Sequence, residues 1–236
     1  MKKILLGFLL FSLSVFAFPK EDRTDATDRL NDAAKVLDEL MGTPDNSIPD
    51  TVLGRAKCVA VIPSMVKGGF IIGGRHGRGA VTCRTSEGHW SAPAFISLTG
   101  GSWGAQIGVE KVDLVLVFMN DKGVNSLLKD NFKLGADASV AAGPLGRHAE
   151  AATDAKLNAE ILAYSRAKGL FAGVELNGAA VKPDNDSDNA FYGPNVNWHE
   201  LVSGNVKPPA AADPFVDAVR KYFNAVRSDK DKERGQ

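Results

Sequence analysis

From Cys58 to about Val181 the chain consists of short β-branched and apolar runs punctuated by glycine. This texture constrains the fold more than any other feature, because such runs bounded by turn residues pair as antiparallel sheet. CVAVIP, GGFIIGG, GAVTCRT, PAFISLT, AQIGVE and DLVLVFM read as strands, with RHGR, SEGH and NDKG as the turns between them. DLVLVFM is apolar throughout after Asp113, so it predicts a strand buried on both faces. NSLLKDNF predicts a short inserted helix, and ASVAAG, EILAYS and LFAGVEL predict further strands. EILAYSRA also fits a helix period, and DNDSDN reads as a surface loop.

Helical periodicity frames this β region. Ala26, Leu30, Ala33, Leu37 and Leu40 recur at helical spacing over 24–41, with Thr24 or Asp25 as cap and Gly42 and Pro44 as the stop. A second short helix follows Pro49 and ends near Ala56. Near the other end, Phe215, Val219, Tyr222 and Val226 share one face behind Asp213 as cap and Pro214 as first helical residue. The expected fold is α+β: a strongly curved, mainly antiparallel sheet or partial barrel covered by N-terminal and C-terminal helices. With 236 residues, one such domain over 18–228 and a flexible polar tail over 229–236 account for the length.

The first residues read differently. Lys2 and Lys3 precede the apolar run Ile4–Phe16, Val15 and Ala17 supply small side chains for cleavage, and Pro19–Asp22 ends the run. That is the pattern of a secretory signal peptide over 1–17, cut after Ala17. The run falls short of the ~20 apolar residues of a membrane span. A periplasmic or secreted protein is therefore expected. In that oxidising setting Cys58 and Cys83 can form a disulfide, while two small buried thiols are the plainer alternative.

Charge is the most informative functional feature. Lys+Arg and Asp+Glu both number 28, so binding nucleic acid through bulk positive charge is not expected. Yet between Thr51 and Ser86 there is no acid, while Arg55, Lys57, Lys67, Arg75, Arg78 and Arg84 stand there with His76 between two arginines. If RHGR is a hairpin tip flanked by glycines, it exposes backbone N–H groups and forked guanidinium donors to phosphate oxygens. Lys67, Arg75, His76, Arg78 and Arg84 are thus candidate headgroup ligands. Arg147, Arg166 and Lys168, also beside glycines, stand in the second rank. The alternative is that these side chains point to different faces and pair with distant acids.

Other motifs carry less. GGSWG matches the G-x-S-x-G elbow, but AQIGVEKVDLVLVF after it reads as strand where the elbow needs a helix. Ser102 is therefore only a remote candidate nucleophile. Asp184, Asp186 and Asp188 have the 1, 3, 5 spacing of a calcium loop, but Asn189 replaces its glycine and Asn195 its bidentate glutamate. No nucleotide cradle or H-E-x-x-H is present, so no cofactor or metal is expected.

In order and spacing, IPDTVLGRAKCVAVIPSMVKGGFIIGGRHGRG, WSAPAFISLTGGSWGAQIG, FKLGADASVAAGPLGR, AYSRAKGLFAGVEL and FYG resemble the SYLF domain, over roughly Arg29 to Lys207. The resemblance implies a single β-rich α+β domain without known enzymatic activity. It also implies phosphoinositide binding, as in eukaryotic members, and actin binding, as in some fungal ones. For an exported member the corresponding surfaces are anionic phospholipids such as phosphatidylglycerol, cardiolipin or lipid A. The partners expected are thus an anionic membrane surface and, alternatively, actin or an envelope protein.

Overall fold

A computed structural model describes residues 22–42, 47–70, 72–103, 108–146, 158–167, 170–172 and 176–234. Helix α1 (Arg23–Met41) begins where the Asp22 carboxylate accepts the Asp25 N–H at 2.9 Å, so the cap is Asp22 rather than Thr24 or Asp25. Its periodic residues Ala26, Leu30, Ala33, Leu37 and Leu40 are all buried. After the short α2 (Asp50–Leu53) come β1 (Cys58–Phe70), β2 (Ile72–Cys83), β3 (Ala94–Trp103) and β4 (Gly108–Phe118). Then follow α3 (Asp121–Leu127), β5 (Phe132–Lys133), β6 (Val140–Ala142), β7 (Ile161–Ala167), β8 (Leu170–Ala172) and β9 (Ala180–Pro183). The chain closes with α4 (Asn185–Tyr192), α5 (Trp198–Ser203), a 3₁₀ turn (Ala210–Ala212) and α6 (Asp213–Arg234).

The strands form one sheet in the order β5-β9-β3-β2-β1-β4-β7-β6, with β8 added to β7. Every pairing is antiparallel except β6 with β7. The sheet curls into a half-barrel of the expected α+β class. Both faces are covered. On one, Val59, Val61, Ala80, Phe95, Val115 and Val117 pack with α1 and with Phe215, Val219 and Phe223 of α6. On the other, Ala60, Ile62, Val81, Ile96, Leu114 and Leu116 pack with Leu127, Phe132, Trp198 and Leu201. Leu114 to Phe118 are buried on both faces, as the apolar run requires.

Three local readings are corrected. RHGR is no turn: β2 runs straight through it, and the chain reverses between Phe70 and Ile72. NDKG opens α3, where the Asn120 side chain accepts the Gly123 N–H at 3.0 Å. EILAYS is strand as expected, because β4 offers it a full ladder from Val112↔Ala167 to Phe118↔Ile161. DNDSDN enters helix α4, capped by Asp184, which accepts the Ser187 Oγ–H at 2.7 Å; Asp188 is 1% exposed. At the C-terminus the helical backbone continues to Arg234, through most of the segment expected to be a loose tail.

Candidate binding surfaces

Running β2 through RHGR decides the fate of the cationic stretch, because successive strand residues face opposite sides of a sheet. Lys67 stands opposite Arg75 on one side and Glu110 on the other, so these three share a face. Val66 stands opposite His76 and Lys111 on the other face. Arg78 has the parity of His76, on the side covered by α1. The candidate cations therefore do not gather on one rim.

Most of those arginines hold the fold together. Arg75 is 6% exposed, and its guanidinium donates to the Gly101 carbonyl at 3.3 Å. Arg78 Nε lies 3.2 Å from Asp184, the cap of α4, which also faces Arg29 of α1 at 3.6 Å. Arg84 donates to Asn224 Oδ1 and to the Phe223 carbonyl of α6, each at 3.0 Å, and lies 4.5 Å over the Trp90 ring. Arg166 holds Asp113 at 2.9 Å and pairs with Glu39 of α1. Asp113 in turn accepts the N–H of Ser64, whose φ of 49° marks the bulge where the β1 register slips. Acids contributed by distant segments answer Arg78 and Arg166, which is the alternative weighed above. Arg147 and Lys168 lie outside the described residues. Of the described candidates, only Lys67 and His76 have no such structural partner among the described residues, and they stand on opposite faces.

The remaining motifs also find places. Cys58 and Cys83 are directly opposed in the β1–β2 ladder and joined, with an S–S distance of 2.07 Å. Ser102 lies on β3, and the next described element is another strand, β4, so among the described residues no helix follows it as the elbow requires. Asp184, Asp186 and Asp188 do not converge: the first is a helix cap, the second exposed, the third buried. Among the described residues no group of three or more His, Cys, Asp or Glu side chains could hold a metal ion. Nor is any described helix long and apolar enough to cross a membrane.

One surface feature escaped the sequence. The registers Phe70↔Ile72, Ile72↔Trp103 and Gly69↔Gly108 bring the β1–β2 turn, the end of β3 and the start of β4 to a single end of the sheet. There Val109 is 78% exposed. Its cross-strand partner is Gly68, which has no side chain to cover it, and β7 on its other side stops opposite Val112. Val66, 41% exposed, lies two residues along on the same face, beside exposed Lys111. The signal present in the sequence was the pairing of a glycine-rich strand end with an apolar neighbour, readable only once the register is known.

A curled, helix-covered antiparallel sheet with glycine-rich strand ends is a domain of the SYLF type. The chain belongs to the Ysc84/SYLF family: residues 99–222 match the family profile described as "Ysc84: Las17-binding protein actin regulator". It is similar to Protein YSC84 of Saccharomyces cerevisiae, 40% identical over 209 residues, covering 84% of this chain and 44% of that protein. LAS seventeen-binding protein 3 of the same species is 40% identical over 192 residues, covering 78% and 41%. SH3 domain-containing YSC84-like protein 1 of Homo sapiens is 34% identical over 196 residues, covering 80% and 57%. The chain thus spans less than half the length of these yeast relatives. The family description and the name of LAS seventeen-binding protein 3 are those of binding and regulator proteins.

Proposed function

We propose that this chain is a non-enzymatic binding domain, exported by its N-terminal segment, that docks on anionic phospholipid surfaces with the open end of its sheet. The observation that carries this reading is Val109, an apolar side chain 78% exposed at the tip of a β-strand, with Lys111 two residues along on the same face and Lys67 at an adjacent register position on the opposite face. An apolar tip backed by lysines suits an interface whose surface is negative and whose interior is apolar. Among the described residues neither lysine has an ion-pair partner. The acidic α1 covers the Val109 face of the sheet, where Asp25, Asp28 and Asp32 line a cleft with Val66 and His76. Arg78, Arg84 and Arg166 serve the fold in this reading, and the headgroup contacts pass to Lys67 and Lys111.

Flotation of the chain beginning at Phe18 with phosphatidylglycerol vesicles, against phosphatidylcholine vesicles, tests this. Binding should require the anionic lipid and fall with salt. Lys67→Glu with Lys111→Glu should weaken it about tenfold or more, at ~1 kcal/mol per cation near the surface. Val109→Asp should weaken it further. Equal recovery with both vesicle types, or no effect of these changes, removes the reading.

A protein partner is the second reading, favoured by the names of the relatives. A cleft of about 350 Å³ between α1 and the β1–β2 pair, lined by Asp25, Asp28 and Asp32 together with Arg29, His76 and Arg78, offers a mixed-charge seat for a polar protein segment. Co-sedimentation with actin filaments in the absence of lipid would favour this reading over the first.

A further inference from the structure

At the opposite end of β2 from Val109, the β2–β3 hairpin, the end of α5 and the start of the α5–α6 linker enclose a cleft of about 320 Å³. We infer that this cleft is a binding site for a small phosphate-bearing molecule. Its lining carries Lys207, Arg220 and His89 from three separate elements, against a single carboxylate, Glu87. Lys207 is exposed and has no ion-pair partner among the described residues. Arg220 is 46% exposed and uses one nitrogen on Asp217 at 3.1 Å, a residue that does not line the cleft. A guanidinium has five N–H donors, so most remain for a ligand. A fork and a point charge converging from different elements match the oxygens of a phosphate better than those of a neutral ligand. The volume lies at the lower end for small-molecule sites, which suits a headgroup-sized molecule.

The walls of the cleft are tied in place. Trp90 Nε1 and Arg84 both donate to Asn224 Oδ1 at 3.0 Å, locking the hairpin to α6. Ser91 Oγ accepts the Cys83 N–H at 3.0 Å, and its carbonyl accepts from Thr82 Oγ at 2.8 Å. Gly204, at φ +86°, sits so close to Thr85 that a side chain there would overlap the threonine methyl. A cleft with walls held this way loses little freedom on binding.

Calorimetric titration of the full chain with inorganic phosphate, glycerol 3-phosphate and a soluble short-chain phosphatidate tests the site. Saturable binding is expected, about tenfold or more weaker in Lys207→Glu and again in Arg220→Glu. Both residues are exposed, so the unfolding temperature of each variant should match that of the parent. Preference for phosphatidate identifies a lipid headgroup as the source, whereas equal affinity for glycerol 3-phosphate identifies a free small phosphate. No saturable binding of any of the three, or binding that survives both charge reversals, overturns the inference. Lys67, Lys111 and Val109 are remote from this cleft, so the outcome is independent of the membrane-docking test.

Discussion

Asp188 shows how far a single residue can depart from what its neighbours in sequence suggest. DNDSDN has the composition of a solvated turn, yet Asp188 is 1% exposed. Its Oδ1 accepts the Phe95 N–H at 2.9 Å, while Oδ2 has no hydrogen-bond partner among the described residues. Burial pushes its pKa from 3.8 up to about 7; the Asp184 charge adds to the rise and the Phe95 N–H opposes it. The folded state therefore holds a proton that the unfolded chain releases near pH 4. The resulting stability is fully present below that pH and is lost as pH rises through about 7. Asp188→Asn keeps an acceptor for Phe95 and cannot ionise. Urea unfolding at pH 5 and pH 8 should show the parent losing stability relative to this variant as pH rises, and parallel behaviour would refute the assignment. The Asp184–Arg78 contact was equally hidden, since its partners lie more than a hundred residues apart in the chain.

At the scale of the element, β2 is the strand that sequence reading cut in two. Glycine before and after RHGR looks like turn punctuation, and in isolation it would be. In the sheet those glycines serve close packing. A side-chain carbon at Gly79 would run into the Val61 carbonyl oxygen and Ile62, and one at Gly77 would run into Ile62 and Met65, next to the β1 bulge. Gly79→Ala should therefore lower stability by about 3 kcal/mol through overpacking. Gly101→Ala, where nothing lies within 4 Å, should be nearly neutral. Denaturant midpoints of the two variants decide this, and equal midpoints would contradict the packing argument. The correction also reassigns charge: a tip would have displayed Arg75, His76 and Arg78 together, whereas a strand sends neighbours to opposite faces.

Across the whole molecule, the central β1–β2 pair carries two cores, one on each face, and a covalent link between directly opposed cysteines. The bridge closes a loop with a sequence separation of 25 residues. On chain-entropy grounds such a loop stabilises the fold by about 3 kcal/mol. Replacing both cysteines with alanine should lower the unfolding free energy by about that amount and abolish any effect of reductant on the melting temperature. A parent protein indifferent to reductant would show that the bridge does not contribute. The α+β class, the covering helices and the doubly buried β4 were legible from periodicity, because burial imposes a repeat of 2 or 3.6 residues on the local sequence. The family was legible from the motif order. The side of the sheet on which each cation stands, and the acid it meets, were not. A one-residue difference in where a strand begins to turn moves every side chain between faces, and ion pairs join segments whose separation no local pattern encodes. Sequence alone therefore determined the kind of domain this is, while register and long-range packing decided that the arginines brace it and that Val109, Lys67 and Lys111 remain at its open end.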